Sequence, residues 1–392
     1  MEPRVTGLDM LRNPQTANAR LALDTIHRQP TDGIPSWLLN VMEHAHIGRL
    51  AGLPDDAYVR APEPTYLAMQ VALGTALMDQ YLWDNPLSMG AQGYEGRELG
   101  ATTGGGPPVL DGITIDGPEA VVEHLERFVF PALVRAEREF DEDARYREIM
   151  EGEIALQERV GPTMLKSGYA FVAFPALAYG AYGYEPYFSA YALYPEVMER
   201  HFALQADLAL RNNRAAARAY SEGRLPPLYR LDHDMADSRG TLVRIETLDR
   251  LWFPHFARCL EPLLRTEVNL IWHCDGNLMA MVPRLLDIGL AGFQGFQYED
   301  GMDYERICRM KTRDGRSLII IAGVSVTRTL PMGTPDNVKR EIDWLVRYGP
   351  PVGLFLGGSS SIAPGVPWEN MVTLKEGLAY YRQHGRKGLE LA

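Results

Sequence analysis

The chain has 392 residues, 46% of them hydrophobic and 23% charged, with a formal charge of −12 at neutral pH. That is the balance of a globular protein with a full core, and the acidic excess excludes nucleic acid and anionic membrane surfaces as main partners. Three cysteines without a CxxC pair make no disulfide framework, and neither a signal-peptide core in MEPRVTGLDMLRNPQ nor an apolar run of about 18 residues occurs, so a cytoplasmic setting is expected.

Taken in order, residues 18–27 carry a helical pattern ended by Pro30, and GIPSWLLN (33–40) reads as the first strand. A second apolar run at 81–83 ends at Asp84. Residues 86–166 fit no simple strand–helix unit: glycine-rich 90–108, a short alternating stretch at 111–116, then helical patterns near 117–130 and 133–152. This segment reads as an insertion covering the cleft. GGGPP (104–108) lacks a following GK[ST] and reads as a turn rather than a phosphate cradle. YAFVAF (169–174) reads as the third strand, followed by seven aromatics between Tyr179 and Tyr194, Tyr182 among them. Such a set serves equally as helix packing or as a stacking wall for a planar ligand.

A long helix (195–222) leads to LYRL (228–231), which releases Asp232, His233 and Asp234. A helix at 247–264 leads to VNLIWHCDGN (268–277), an apolar strand that delivers a base, a thiol and a carboxylate, His273, Cys274 and Asp275, at its exit. GFQGFQ (292–297) ends at Glu299 and Asp300, SLIIIAGVS (317–325) precedes a Thr334-Pro335 helix start, and VGLFLGG (352–358) runs into Ser359, Ser360 and Ser361. The last helix spans about 368–384. Eight strands, most followed by helical sequence, predict one (β/α)8 TIM-barrel domain over 1–392, with the insertion between strands 2 and 3. In such a barrel the strand ends share one mouth. Glu43, His44, Asp84, Asp234, His273, Asp275 and Glu299 all fall at strand ends, an arrangement able to bind a metal or move protons.

Five stretches resemble the uroporphyrinogen decarboxylase superfamily, in that family's order: 17–37, LDHDMADSRGTL (231–242), 273–299, AGVSVTRTLPMGTPDNV (322–338) and SSSIAPGVPWENMVTL (359–374). The resemblance implies a distorted (β/α)8 barrel and, by analogy, a homodimer. True porphyrinogen decarboxylases grip the substrate's carboxylates with an Arg-Gln-Ala-Gly-Arg run; here Asn40 and His44 occupy the matching positions. The chain is more similar to the methyltransferase branch, whose members work with corrinoid proteins. Some of those bind zinc through His-x-Cys-Gly and a later cysteine. His273 and Gly276 match that motif, whereas Asp275 and Ser360 stand at the cysteine positions.

An oxygen/nitrogen zinc set follows from that resemblance: His273, Asp275, Glu299 and Asp234. The reaction it implies is demethylation of a small methoxylated or N-methylated molecule, with the methyl passing to a corrinoid on a separate protein. Asp234, Asp275, Glu299 and Asp84 are the catalytic candidates, and Asn40, His44, Tyr179, Tyr182, His233 and Ser360 the substrate-binding ones. Two alternatives stay open: a metal-free decarboxylase or lyase on a small acid, using Asp84 and Asp275, and a non-catalytic ligand-binding barrel.

Overall fold

Short apolar runs, buried on both faces, build the centre of the molecule. The computed structural model describes residues 6–84 and 107–387. Its main sheet has eight parallel strands whose spatial order follows the chain: β1 Ser36–Trp37, β2 Thr75–Met78, β3 Leu165–Lys166, β4 Leu228–Asp232, β5 Asn269–His273, β6 Gly292–Gln294, β7 Ile319–Val324 and β8 Leu354–Gly358. β1 pairs with both β2 and β8. At the outer strands a parallel bridge joins Gly168 to Tyr229, and Gly168 N donates to the Leu228 carbonyl at 3.2 Å. The sheet thus curls round to meet itself in a TIM-barrel-like α/β fold. The meeting needs glycine at 168, because a Cβ there would stand 2.3 Å from the Tyr220 hydroxyl and 2.7 Å from the Tyr229 ring.

Helices form the outer layer. Pro195–Ser221, with proline in its first turn, packs on Phe253–Leu264 and on Glu142–Val160. Pro335–Tyr348 starts in a capping box made by Thr334 and Asn337, and Trp368–His384 closes the ring against it. No described helix is long and apolar enough to cross a membrane.

β1 and β4 to β8 match the stretches expected from the sequence, β4 running one residue further, to Asp232. Two strands do not. The second is Thr75–Met78 rather than 81–83, so the carboxylate at its end is Asp79, while Asp84 lies exposed in a turn beyond it. This strand is buried on both faces and follows directly on the helix Pro62–Leu73, so no alternation marks it. The third is Leu165–Lys166 rather than 169–174. A lysine conceals it: Lys166 is 1% exposed and donates to Glu153 Oε2 at 2.9 Å on the helix behind. The apolar run 169–174 is irregular chain held by side chains, with Phe171 N and Val172 N donating to the Tyr229 hydroxyl and Ala173 N to Asn213 Oδ1.

Of the proposed insertion, residues 86–106 lie outside the described residues. The remainder contains a hairpin (Val109–Leu110 with Ile113–Thr114), the helices Pro118–His124 and Phe130–Arg138 with a π-helical turn between, and Glu142–Val160. Through Glu153 and Lys166 that last helix packs on β3, the place of an ordinary crossover helix. The earlier helices pack on the segment after β3: His124 meets the Tyr182 hydroxyl at 2.8 Å, and Tyr194 donates to Glu119 at 2.9 Å.

Candidate active site at the barrel mouth

The registers place Asp232 opposite His273 and His273 opposite Gln294, so β4, β5 and β6 end in one layer. The polar residues following β4 and β5 therefore emerge side by side. Asp234, His273 and Asp275 each offer a ligand atom, and these atoms lie within 4.8 Å of one another. The backbone amide of Asp275 donates to Asp234 Oδ1 at 2.9 Å, which ties the two strand exits together.

His273 is 8% exposed and contacts the Gln294 carbonyl through Nδ1 at 3.3 Å. A carbonyl only accepts, so Nδ1 is the donor in this contact, and in the neutral ring Nε2 is the nitrogen left with a lone pair. The ring fits there because residue 295 is glycine at φ +76; a Cβ would come within 2.6 Å of Nδ1. Asp275 Oδ1 is buried without a hydrogen-bond partner, and Oδ2 receives a long contact from the Ser360 hydroxyl at 3.5 Å. Burial pushes the Asp275 carboxyl up; His273 opposes this, and the neighbouring Asp234 and Asp232 carboxylates reinforce it.

A lone pair on a buried imidazole, an orphaned carboxylate oxygen and a second carboxylate suit a divalent cation. Three protein ligands with a position left open is the arrangement of catalytic zinc. Cys274 is not part of it. Its thiol is buried, accepts from Met235 N at 3.3 Å, and burial pushes it up to about 12.

The other sequence candidates fall outside that three-residue group. Glu299 stands outside the three-residue group and accepts from the hydroxyls of Ser325, at 2.7 Å, and Thr327. Tyr179 donates to the Asp234 carbonyl at 2.8 Å and stacks on His233, ring centroids 6.0 Å apart. His233 Nε2 accepts from Leu177 N at 2.9 Å, and burial lowers its pKa. Asn40 Nδ2 donates to Ser361 Oγ at 2.8 Å, next to Ser360. His44 opens a helix and lies against Tyr58, ring centroids 5.0 Å apart. Tyr182 is turned into helix packing against His124 and is 3% exposed.

Sequence reasoning missed the layer beneath. Arg230, buried on β4, donates from Nε to Asp79 Oδ2 at 2.5 Å and from Nη1 to Asp232 Oδ2 at 2.9 Å. Trp37 Nε1 holds the other Asp79 oxygen at 2.8 Å, and Tyr169 donates to Asp232 Oδ2 at 2.9 Å. Asp232 Oδ1 lies 4.0 Å from His273 Nε2. Burial pushes the Asp79 carboxyl up, but the Arg230 guanidinium, with the Gln80 amide and the Trp37 indole, reverses this and holds it below the usual range. A signal was present: in LYRLD, Arg230 and Asp232 share one face of the strand, and a charge inside a buried strand needs a partner.

No family model matches the sequence, and no curated protein matches it. Among solved structures, a methyltransferase from Methanosarcina mazei matches over 96% of this chain and 99% of its own, at 16% identity and a TM-score of 0.52. The fold is shared with a methyltransferase. At that identity the likeness speaks for the fold, and residue roles rest on the geometry above.

Proposed function

We propose that the chain is a methyltransferase that moves a methyl group from a small methoxylated or N-methylated molecule to a corrinoid carried by a separate protein. The observation that carries this reading is the cluster of Asp234, His273 and Asp275 at the strand ends, with its orphaned carboxylate oxygen. The shared fold with a methyltransferase supports it.

His273 Nε2 and carboxylate oxygens of Asp275 and Asp234 would hold zinc. When bound, zinc supplies Lewis-acid polarisation of an ether oxygen or amine and so improves the leaving group. The Gln294 carbonyl, accepting from Nδ1, leaves Nε2 as the ligating nitrogen, and glycine at 295 makes room for the ring. Tyr179, stacked on His233, forms a flat wall for a planar substrate. Glu299, whose carboxylate accepts from the Ser325 and Thr327 hydroxyls, would be the group that handles the proton of the departing oxygen or nitrogen.

The test is twofold. Purified protein should carry zinc close to one per chain, reduced in His273→Ala. Mixing with a cob(I)alamin-loaded carrier and methoxylated or N-methylated donors should convert the cobalt(I) absorbance to that of methylcobalamin. Neither metal nor conversion with any donor would leave the proposal without support.

A further inference from the structure

The end of the barrel opposite the mouth gathers positive charge in a chain that is strongly negative overall. The helix Ala17–Ile26 is followed by Arg28 at φ +56, a left-handed position that glycine usually fills. From there the side chain reaches the barrel's floor. Nε donates to the Ser317 carbonyl at 2.6 Å, Nη1 to Asn269 Oδ1 at 2.8 Å and Nη2 to the Ala291 carbonyl at 3.4 Å. Asn269 opens β5, and Ala291 and Ser317 lie just before β6 and β7, so Arg28 draws three strand starts together. All three acceptors are neutral. Among the described residues no carboxylate bonds to this guanidinium, and two of its five N–H groups remain unspent. Burial pushes Arg28 down to about 10; the neighbouring Arg316 adds to this and Asp314 opposes it. A half-buried cation thus stands without a bonded counter-ion, which is the condition an anionic ligand would relieve.

A cavity of about 600 Å³ opens beside Arg28, lined also by His27, Glu267, Arg313, Asp314 and Arg316. Arg316 and Asp314 hold each other at 2.7 Å. Arg313 is exposed and makes no ion pair among the described residues. Three guanidinia therefore face two carboxylates, an excess of positive charge in a chain of net charge −12. We propose that this cavity binds the phosphoryl group of a small, non-aromatic molecule, with Arg28 and Arg313 as its donors. A phosphoryl group carries about −1.5 to −2 charges and three acceptor oxygens, enough to engage the spare N–H groups of Arg28 and the fork of Arg313 together. A carboxylate brings one charge and two oxygens, and a single guanidinium uses both. The volume lies in the range of small-molecule sites, about 300–1,000 Å³, so there is room for a body behind the anion. No Phe, Tyr or Trp is among the described residues lining it, so that body is a polyol or similar chain rather than a stacked ring. Asn269 and His273 stand at opposite ends of β5, about 13 Å apart, which makes this a second site. It holds whether or not the mouth transfers methyl groups.

Calorimetric titration of the full chain at constant ionic strength tests this, with glycerol phosphate, inorganic phosphate, acetate and glycerol as probes. Glycerol phosphate should bind saturably, and with the same affinity in His273→Ala, because the cluster at the mouth takes no part. Inorganic phosphate should bind about threefold more weakly, and acetate and glycerol at least about tenfold more weakly, the factor for one hydrogen bond to a charged donor. Arg313→Gln should weaken glycerol phosphate about three- to tenfold, the lower figure reflecting an exposed side chain. Glu267→Gln removes a carboxylate from the rim and should tighten it about twofold. Arg28→Gly suits the left-handed backbone and should abolish binding. Should that variant not fold, Arg313→Gln and Glu267→Gln still decide. Absence of saturable binding, loss of binding in His273→Ala, an unchanged affinity in Arg313→Gln, or acetate binding as tightly as glycerol phosphate would each overturn the phosphoryl site. Equal affinities for inorganic phosphate and glycerol phosphate would overturn the organic body and assign the cavity to free phosphate.

Discussion

Replacing Asp275 by asparagine should raise the melting temperature of the metal-free protein and lower that of the zinc-loaded one. Without metal, Asp275 is a carboxylate with a buried, unpartnered oxygen, and its ligand atom lies within 4.8 Å of that of Asp234. Repulsion between unit charges at that separation is about 1 kcal/mol in bulk water and about 3 kcal/mol at an effective dielectric of 20. Asparagine removes it and keeps an acceptor, so a gain of about 1–3 kcal/mol is expected, the lower half applying because Asp234 is exposed. For 392 residues the entropy of unfolding near the midpoint is about 0.8 kcal/mol/K, so the midpoint rises by roughly 1–4 °C. Zinc at 100 times its dissociation constant stabilises the parent by about 2.7 kcal/mol. Even loss of a group that only orients a ligand weakens metal binding about 10–100-fold, and loss of an anionic ligand should weaken it at least about 100-fold. The same zinc concentration then contributes only about 0.4 kcal/mol to the variant. Melting curves by scanning calorimetry, with chelator and with zinc, should therefore show the parent gaining about 3 °C from zinc and the variant almost nothing. A metal-free variant that melts below the parent, together with equal responses to zinc, would refute the placement of Asp275 in a cation site.

The remaining predictions follow from neighbouring geometry. Glu299→Gln should leave zinc stoichiometry and affinity unchanged, because the Glu299 carboxylate is engaged by Ser325 and Thr327 outside the three-residue group; a tenfold weakening by calorimetric titration would return it to the ligand set. Gly295→Ala should cost about 1–3 kcal/mol and weaken zinc binding, since its Cβ meets His273 Nδ1 at 2.6 Å on backbone at φ +76. Denaturant melts and metal titration check both effects. His201 is buried in the long helix, and burial lowers its pKa from 6.5 to about 4. Above pH 6.5 both states are neutral. As pH falls from about 6.5 to 4 the unfolded chain takes up the proton first, so stability drops by up to about 3 kcal/mol across that window. Urea melts from pH 7 to pH 4 should show this slope, and His201→Leu should flatten it.

The sequence shows His273, Asp275 and Asp234 readily because each follows an apolar run that stops abruptly, and the polar residue after a buried strand belongs to a barrel's mouth. β2 and β3 stay hidden for opposite reasons. Thr75–Met78 has four buried residues directly after a helix, without alternation, so the next apolar run is taken for the strand and Asp84 for its terminal carboxylate. Leu165–Lys166 contains a residue type that marks a surface, made tolerable inside by Glu153, thirteen positions away, and by the Ser167 carbonyl. The same kind of compensation hides the floor of the site. Asp79 and Arg230 stand 151 positions apart, and neither is interpretable alone. Read singly, Asp79 is a free acid available to stabilise a protonated intermediate, as the decarboxylase alternative requires of a carboxylate in this position. Paired, it is held ionised by a guanidinium, and that guanidinium keeps one unmatched donor. A buried ion pair by itself contributes little stability over an apolar substitute, so the Asp79–Arg230 pair, like Lys166–Glu153, is no argument for stability. On the methyl-transfer proposal the chemistry would lie one step higher, where the imidazole and the two aspartates converge.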